Sequence, residues 1–369
     1  MSDDAGIEAE FFYGMQSDEA PEDEPEPIEI AEGQLDLLEP EQEQLLLDVD
    51  AKPQPLYGEN LFGEPIEPPS RGAISDRFVV APFTVLNTRE GFWQERKRAW
   101  QSLGIKSELG REGDLTYSGK LAEFDHYRVK EGTKSATDTQ GTSIFDPVLC
   151  EMVYRWFCPA GGLIVDPFAG GSVRGIVAAH LGYEYWGCDL SEAQVLANRT
   201  QAATIVPGNM PWWEVGDSRE ELEMAPRADF IFSCPPYGDL ERYSDDPRDL
   251  STLGYSEFRD AYDEIIGKAL DRLSNDRFAC FVVGDFRDRK TGHYNGLVVD
   301  TIRAFQRHGA GLYNEAILVN NVGSLSVRIT RQFDSGRKMG KCHQNVLVFV
   351  KGDGKAAAQA CMREEIPSE

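Results

Sequence analysis

Acidic residues follow predicted strands of this chain, at positions where a carboxylate could bind a small ligand. Asp166 ends the apolar run Leu163–Asp166 and opens the sequence DPFAGGS. Gly170 and Gly171 in that sequence would let a ligand approach the backbone closely. Asp189 ends the next apolar run, and a carboxylate there can accept from both hydroxyls of a ribose.

A third carboxylate, Asp217, follows a short strand in the sequence VGDS and can accept from the amino group of an adenine. Taken alone, each of the acids is explained as well by a helix cap or a turn. Three acids after three successive strands, the first beside a glycine turn, indicate instead a nucleoside ligand at the carboxyl edge of a sheet.

A pair of prolines directly follows a fourth predicted strand, Asp229–Ser233, in the sequence SCPPY. Pro235 and Pro236 fix the backbone and remove two N–H donors, so that the carbonyls there can accept from a substrate. Tyr237 can stack on a planar group. A rigid turn is the alternative, and the position beside the nucleoside site favours a turn that binds substrate.

Strands alternate with helices from Asp146 onward, which indicates an α/β sheet. The predicted strands are Leu163–Asp166, Tyr185–Asp189, Trp213–Gly216, Asp229–Ser233, Phe278–Gly284, Leu312–Asn320 and Asn345–Val350. The predicted helices are Pro147–Phe157, Val173–Leu181, Glu192–Thr204, Tyr255–Leu273 and Gly296–Arg307. Because no helix is predicted between the last two strands, we expect them to pair antiparallel at one edge, joined by a loop over 321–344.

The sequences DPFAGGS, GCDLS, GDS and CPPY together resemble the S-adenosylmethionine-dependent amino-methyltransferases of DNA, which make N6-methyladenine or N4-methylcytosine. The resemblance covers about residues 140–351, and 71–351 also looks like phage- and prophage-borne DNA methylase-like proteins. It implies a seven-stranded, Rossmann-like class I methyltransferase sheet with an antiparallel strand at one edge, an N-terminal accessory segment and S-adenosyl-L-methionine as cofactor.

The resemblance also implies which residues of this chain hold the cofactor. The methionine part would be held by Asp166, Phe168, Gly170 and Gly171, together with Ser143 and Phe145 from the segment before the first strand. The ribose would bind to Asp189 and the adenine to Asp217.

The catalytic turn implied by the resemblance is Cys234, Pro235, Pro236 and Tyr237. It would bring an exocyclic amino nitrogen in line with the methyl group, and the target base would flip out of a DNA duplex to stack on the aromatic ring. The same style of motif occurs in methyltransferases that act on RNA or on protein glutamine. A further alternative is a non-catalytic module that binds the cofactor or DNA.

Cys234 departs from the family, which usually has Asp, Asn or Ser at that position, and a thiol is a weak acceptor. Three interpretations stay open. The backbone carbonyls of Cys234 and Pro235 could make the amino contact, the enzyme could be weak or inactive, or Cys234 could attack a pyrimidine carbon as a nucleophile.

Basic side chains in the predicted loop are candidates for contacts to DNA phosphates. They are Arg328, Arg331, Arg337, Lys338 and Lys341. An ordinary solvated loop is the alternative. Residues 71–140 form a second candidate for substrate contact, with a short strand at 78–80 and a helix near Arg89–Leu103 whose tryptophans could instead pack on the main domain.

The formal net charge of −26 is concentrated at the amino terminus. Residues 1–70 hold 21 of the 63 acidic residues, one basic residue and nine of the 20 prolines. This composition predicts a disordered acidic tail. A short helix at Leu35–Leu47 could dock a protein partner, and a solvated tail is the alternative that composition favours. A methyltransferase domain is expected over 141–352 and a C-terminal tail over 353–369.

Cysteine and histidine spacing indicates neither a disulfide framework nor a metal site, because the seven cysteines form no CxxC pair and the five histidines no pair with ligand spacing. No metal is therefore expected. No apolar run reaches the length of a membrane span, and the acidic start of the chain is unlike a secretory signal. We expect a cytoplasmic protein of a bacterial or phage-infected cell.

Overall fold

The computed structural model describes most of the predicted catalytic region and part of the segment before it. It describes residues 54–61, 63–68, 70–106, 145–238, 243–288, 290–320 and 325–362, and of 325–328 the backbone alone. The predicted helix at 35–47, Ser143 and most of the predicted acidic tail lie outside these residues.

Eight strands form one mixed sheet. They are β1 Val85–Asn87, β2 Leu163–Asp166, β3 Glu184–Asp189, β4 Trp212–Val215, β5 Ala228–Ser233, β6 Leu273–Val283, β7 Ala310–Val319 and β8 His343–Lys351. The seven strands predicted from the sequence correspond to β2–β8, and β1 is additional. β1 is short and pairs with β7 in parallel, with Val85 opposite Ile317.

The strand order is β1-β7-β8-β6-β5-β2-β3-β4, and β8 runs antiparallel to both β6 and β7. The other described pairs are parallel. Apart from β1, this is the arrangement expected for a Rossmann-like class I methyltransferase sheet. The predicted fold class is therefore confirmed, with eight strands instead of seven.

Ten α-helices accompany the sheet in the described part of the chain. They are α1 Ala73–Phe78, α2 Gly91–Ser102, α3 Pro147–Phe157, α4 Val173–His180, α5 Glu192–Ile205, α6 Ser218–Glu221, α7 Tyr255–Arg272, α8 Leu297–Arg307, α9 Leu325–Gly336 and α10 Gly354–Ala360. None of them is long and apolar enough to cross a membrane. Asp146 caps the amino terminus of α3, because its Oδ1 accepts from the Val148 N–H at 3.0 Å.

Two local predictions are wrong. Residues 78–80 do not form a strand, because α1 ends at Phe78 and Val79 has a φ of 70°, outside the extended region. Residues 321–344 are not all loop, since they contain the helix α9.

Residues 354–360, which the sequence analysis assigned to a C-terminal tail, form α10, and Ala357 of that helix is buried in the core.

The helix α2 packs against α3 through an ion pair that is shielded from water. Arg96 donates to both carboxylate oxygens of Glu151, each at 2.6 Å, and the side chain of Glu151 is fully buried. Trp100 Nε1 donates to the same carboxylate at 3.0 Å. Trp93 and Trp100 are both buried, so the tryptophans of α2 pack on the main domain, and Arg96 is buried with them.

Candidate active site

The two predicted turns, after β2 and after β5, lie where the strand order of the sheet reverses. From β2 the chain continues outward to β3 and β4, and then returns to the other side of β2 as β5. The loops that leave β2 and β5 therefore diverge and leave a crevice at the carboxyl edge, which is where open α/β sheets bind ligands. Ser233 Oγ donates to Asp166 Oδ1 at 2.5 Å and ties the two strand ends together below it.

The glycine turn after β2 depends on Gly170, whose φ of 51° favours a residue without a Cβ. Its N–H donates to Asp189 Oδ2 at 2.9 Å, and its carbonyl accepts from Asn198 Nδ2 at 2.7 Å. Gly171 follows in the same turn and is half-buried. The turn is thus held from β3 and from α5, with its backbone close to the carboxylate of Asp189.

Phe168 has a packing role within the same turn. Its ring centroid lies 5.9 Å from that of Tyr262 and 6.3 Å from that of Phe281, both in the core below the turn. Its carbonyl accepts from Arg174. Phe168 therefore anchors the turn, and Gly170 and Gly171 form the part that remains beside the crevice.

Asp166 is fully buried, and the protein itself supplies four donors to its carboxylate. Oδ1 accepts from the Phe168 N–H at 3.1 Å and from Ser233, and Oδ2 accepts from Arg174 Nε at 2.5 Å and Tyr185 Oη at 2.8 Å. A carboxylate has about four lone-pair positions. This set of bonds makes Asp166 a residue that positions its neighbours.

Asp189 lies at the end of β3 and is half-buried. Oδ1 accepts from the Ser191 N–H and Oδ2 from the Gly170 N–H, each at 2.9 Å. These backbone bonds fix the plane of the carboxylate at the mouth of the crevice. A carboxylate oxygen can accept more than one hydrogen bond, so this geometry is compatible with the ribose contact predicted from the sequence.

Asp217 caps α6 and is paired with an arginine that the sequence motifs did not single out. Arg219 donates to both oxygens of Asp217, with Nη2 at 2.5 Å from Oδ2 and Nε at 3.1 Å from Oδ1. Burial raises the pKa of Asp217, but hydrogen bonds from Arg219 outweigh burial and hold the pKa below its ordinary value. A ligand amino group would have to displace this guanidinium, whose side chain is 31% exposed.

The CPPY turn follows β5 on the other side of the crevice. Pro235 is buried, and Cys234, Pro236 and Tyr237 are half-buried. The Sγ of Cys234 lies 3.6 Å from the hydroxyl of Tyr237. Burial raises the pKa of Tyr237 well above its ordinary value, and the neighbouring Cys234 adds to the effect, so the phenol stays protonated.

Gln344 holds the Tyr237 hydroxyl from the distant strand β8 and was missed by the sequence motifs. Its Nε2 donates to the hydroxyl, and its Oε1 accepts from Asn320 Nδ2 at 3.2 Å. Because Gln344 lies 107 positions from Tyr237, no local spacing could have revealed the contact. The ring of Tyr237 is therefore oriented by β8 as well as by its own turn.

Phe145 reaches the same region from the segment before α3. Its ring meets that of Phe232 edge to face at 5.6 Å between centroids, and the guanidinium carbon of Arg174 lies 4.8 Å from the ring centroid. Phe145 thus lies beside the ends of β2 and β5. Its contact with the methionine part of the cofactor stays a prediction. The companion prediction for Ser143 lies outside the described residues.

The basic segment is a helix and a short connection at the same edge of the sheet. α9 follows the carboxyl end of β7 and precedes the antiparallel strand β8, which starts at this edge. Of its predicted contacts, Arg331, Arg337 and Lys338 are exposed and Lys341 is half-buried. Arg328 lies on α9, and its side chain is outside the description.

Lys341 differs from the other basic residues in its surroundings. Its Nζ lies 3.0 Å from His343 Nε2. When the imidazole is neutral and protonated at Nδ1, Nε2 can accept a hydrogen bond from the ammonium group. Burial lowers the pKa of Lys341 and also that of His343. Within the described part of the chain, no group of three or more His, Cys, Asp or Glu could hold a metal ion.

Comparison with known proteins gave matches among solved structures alone. No family model and no curated protein matches the chain. TrmN from Thermus thermophilus is 17% identical with a TM-score of 0.39, and the match covers 58% of this chain and 51% of that one. The chain thus spans about half the length of TrmN.

Two further solved structures are similar at the same low level. Magnesium protoporphyrin IX methyltransferase from Synechocystis, with bound S-adenosylmethionine, is 16% identical with a TM-score of 0.37, over 64% of this chain and 94% of that one. A candidate DNA modification methylase from Thermus thermophilus is 20% identical with a TM-score of 0.28, over 38% and 52%.

Proposed function

We propose that this chain transfers a methyl group from S-adenosyl-L-methionine to an exocyclic amino group of a DNA base, N6 of adenine or N4 of cytosine. The observation that carries the proposal is the meeting of two turns at one crevice. The glycine turn with Asp189 lies on one side of the reversal between β2 and β5, and the CPPY turn lies on the other. Neither turn alone would support the assignment.

The residues on the β2–β4 side fit a nucleoside with an amino-acid extension. Asp189 would bind the ribose hydroxyls, and the backbone of Gly170 and Gly171 would lie against the ligand. Asp217 would accept from the adenine amino group once Arg219 moves aside, and Phe145 would cover the amino-acid end. The bound cofactor supplies an electrophilic methyl group.

The residues on the β5 side fit a planar base. The ring of Tyr237 would stack on the base, and its orientation is held by hydrogen bonds at the hydroxyl. The carbonyls of Cys234 and Pro235 would accept from the amino group, which aligns the nitrogen and draws its lone pair out of conjugation. In this interpretation the thiol of Cys234 fills space and contacts Tyr237.

The DNA backbone would lie along α9 and the connection to β8. Arg331, Arg337 and Lys338 project from the same edge as the CPPY turn and are exposed, as phosphate-binding side chains must be. Arg328 and Lys341 belong to the same basic run in the sequence. A duplex would present its target by flipping the base out of the stack toward Tyr237.

The direct test uses labelled cofactor with DNA, RNA and the protein itself, followed by nucleoside mass spectrometry. We expect N6-methyladenine or N4-methylcytosine in the DNA. Tyr237→Ala should lower the rate by on the order of 10- to 100-fold, because base stacking is worth about 1–3 kcal/mol. The matched variant Tyr237→Phe keeps the ring but loses the hydrogen bonds at the hydroxyl, so its rate should fall by at most about 10-fold, less than that of Tyr237→Ala.

Other products would decide between the alternatives. 5-Methylcytosine in the DNA would assign Cys234 as a nucleophile and reject amino transfer. Label in RNA or protein, with none in DNA, would reject the DNA substrate. Absence of label anywhere, together with normal cofactor binding, would indicate a non-catalytic module.

Gln344 provides a second check on the position of Tyr237. Replacing it by leucine should lower the rate of methyl transfer by up to about 10-fold, since a hydrogen bond of about 0.5–1.5 kcal/mol that orients the ring is lost. Cofactor affinity should not change. Gln359→Leu, on the exposed side of α10, is the control. An equal rate for both variants would show that β8 does not position the ring.

A further inference from the structure

Arg174, at the start of α4, is a buried cation that no sequence motif singled out. Its side chain is 6% exposed. Nε donates to Asp166 Oδ2 at 2.5 Å, and Nη2 donates to the carbonyls of Phe168 and Ala169, to the latter at 2.8 Å. With the ring of Phe145 on one side at 4.8 Å, the guanidinium lies between the glycine turn and the wall of the crevice.

One end of this guanidinium still has hydrogen atoms to donate. A guanidinium has five N–H donors, and the single donor of Nε and the two of Nη2 are used. Nη1 has no acceptor among the residues that the structure describes. It is also absent from the polar atoms that are both fully buried and without a hydrogen-bond partner, so it is not fully buried. The remaining exposed part of Arg174 therefore includes Nη1, which can bind an anion with two N–H groups.

The charges around this position favour an anion over a cation. Asp166, which the resemblance assigned to the methionine part of the cofactor, already accepts from four protein donors. A ligand ammonium group would have to displace one of them. Burial lowers the pKa of Arg174, but Asp166, Tyr185 and Cys234 together raise it by more, so the guanidinium stays charged.

We propose that Arg174 binds the α-carboxylate at the amino-acid end of the cofactor through Nη1. The inference rests on the proposed function, because it assumes that the crevice takes S-adenosylmethionine. Asp166 is then a positioning residue: it holds the guanidinium from behind and does not touch the ligand. A guanidinium–carboxylate contact shielded from water is both strong and directional, and it would fix the amino-acid chain that is attached to the sulfonium.

The test compares ligands that differ by the carboxylate alone. The full chain is titrated by calorimetry with S-adenosylhomocysteine, with decarboxylated S-adenosylhomocysteine and with 5′-methylthioadenosine, which lacks the whole amino-acid end. Loss of the carboxylate should weaken binding to the wild type by on the order of 10- to 100-fold, because a hydrogen bond to a charged group is worth about 1.5–3 kcal/mol.

The variants remove the guanidinium without leaving a buried carboxylate unpaired. In Arg174→Met combined with Asp166→Asn, S-adenosylhomocysteine and its decarboxylated analogue should bind with equal affinity. Binding of 5′-methylthioadenosine should be unchanged and so report an intact crevice. If that double variant does not fold, Arg174→Lys keeps a cation beside Asp166 and should show reduced discrimination. Arg199→Lys, at a buried arginine on α5, is the matched control.

Three results would overturn the inference. They are equal affinity of the wild type for the two ligands, unchanged discrimination in the Arg174 variants, or the same loss of discrimination in Arg199→Lys. Failure of the wild type to bind any of the three ligands would instead overturn the proposed function, so the two failures are distinguishable.

Discussion

Replacing Asp189 by alanine is expected to lower the affinity for S-adenosylmethionine by at least about 100-fold. Two hydrogen bonds from ribose hydroxyls to a charged acceptor would be lost, each worth about 1.5–3 kcal/mol, and about 1.4 kcal/mol corresponds to a factor of ten. The glycine turn would loosen as well, because the Gly170 N–H donates to the same carboxylate at 2.9 Å. Calorimetric titration of the full chain measures the loss.

Asp229→Ala is the matched control for that measurement. Asp229 lies near the other end of β5, where Oδ2 accepts from the Leu163 N–H at 3.1 Å and Oδ1 accepts from Arg277 at 3.2 Å. The variant should melt at a lower temperature and still bind the cofactor with wild-type affinity. A comparable loss of affinity in both variants would show that Asp189 acts through the stability of the sheet, not through the ligand.

Replacing Glu151 by glutamine is expected to lower the free energy of unfolding by about 3 kcal/mol at neutral pH. The change removes the charge that compensates Arg96, and breaking one partner of a buried pair typically costs about 3–5 kcal/mol. Both Arg96 contacts to the carboxylate measure 2.6 Å, and Trp100 also donates to it. Urea unfolding, followed by tryptophan fluorescence, measures the difference.

The effect of Glu151 should also depend on pH in a defined direction. Burial raises the pKa of Glu151, but Arg96, Arg155 and Trp100 together outweigh burial and hold the pKa below its ordinary value of 4.5. The stabilisation is therefore fully present above about pH 4.5 and is lost as the pH falls through the folded-state pKa. The gap between wild type and Glu151→Gln should narrow below pH 4.5.

Glu95→Gln is the control, since Glu95 is an exposed acid on α2, the helix that carries Arg96. It should leave the free energy of unfolding within about 0.5 kcal/mol of the wild type. A pH-independent gap for Glu151→Gln would contradict the assignment of its effect to the ionised pair.

Most of the fold was predictable because its elements are long and strongly patterned. The seven strands β2–β8 and the five helices of the alternating region were identified from apolar runs, caps and helical spacing. The two failures have different causes. β1 has three residues and exists through its pairing with β7. The basic residues of α9 led to its assignment as a loop, although Leu325, Ile329 and Phe333 recur there at helical spacing.

The site was predictable at the level of its turns but not of its hydrogen bonds. Asp189 and the CPPY turn could be placed at the carboxyl edge because parallel strands bring their ends together. The hydrogen bonds that Arg174, Arg219 and Gln344 donate could not be predicted, because they follow from tertiary packing. Their acceptors are Asp166, Asp217 and Tyr237, respectively. As a result, two of the three predicted ligand-binding acids turned out to be occupied by protein cations.

The sequence by itself determined the order of elements, the two turns and the concentration of negative charge in the first 70 residues, since these depend on local composition and periodicity. The tertiary structure decided which carboxylates already accept from protein donors and which side chains orient the CPPY turn. The physical reason is that a buried carboxylate takes whatever donors the neighbouring strands and helices bring within about 3 Å. Those donors lie on elements far apart in the chain, where no spacing in the sequence records them.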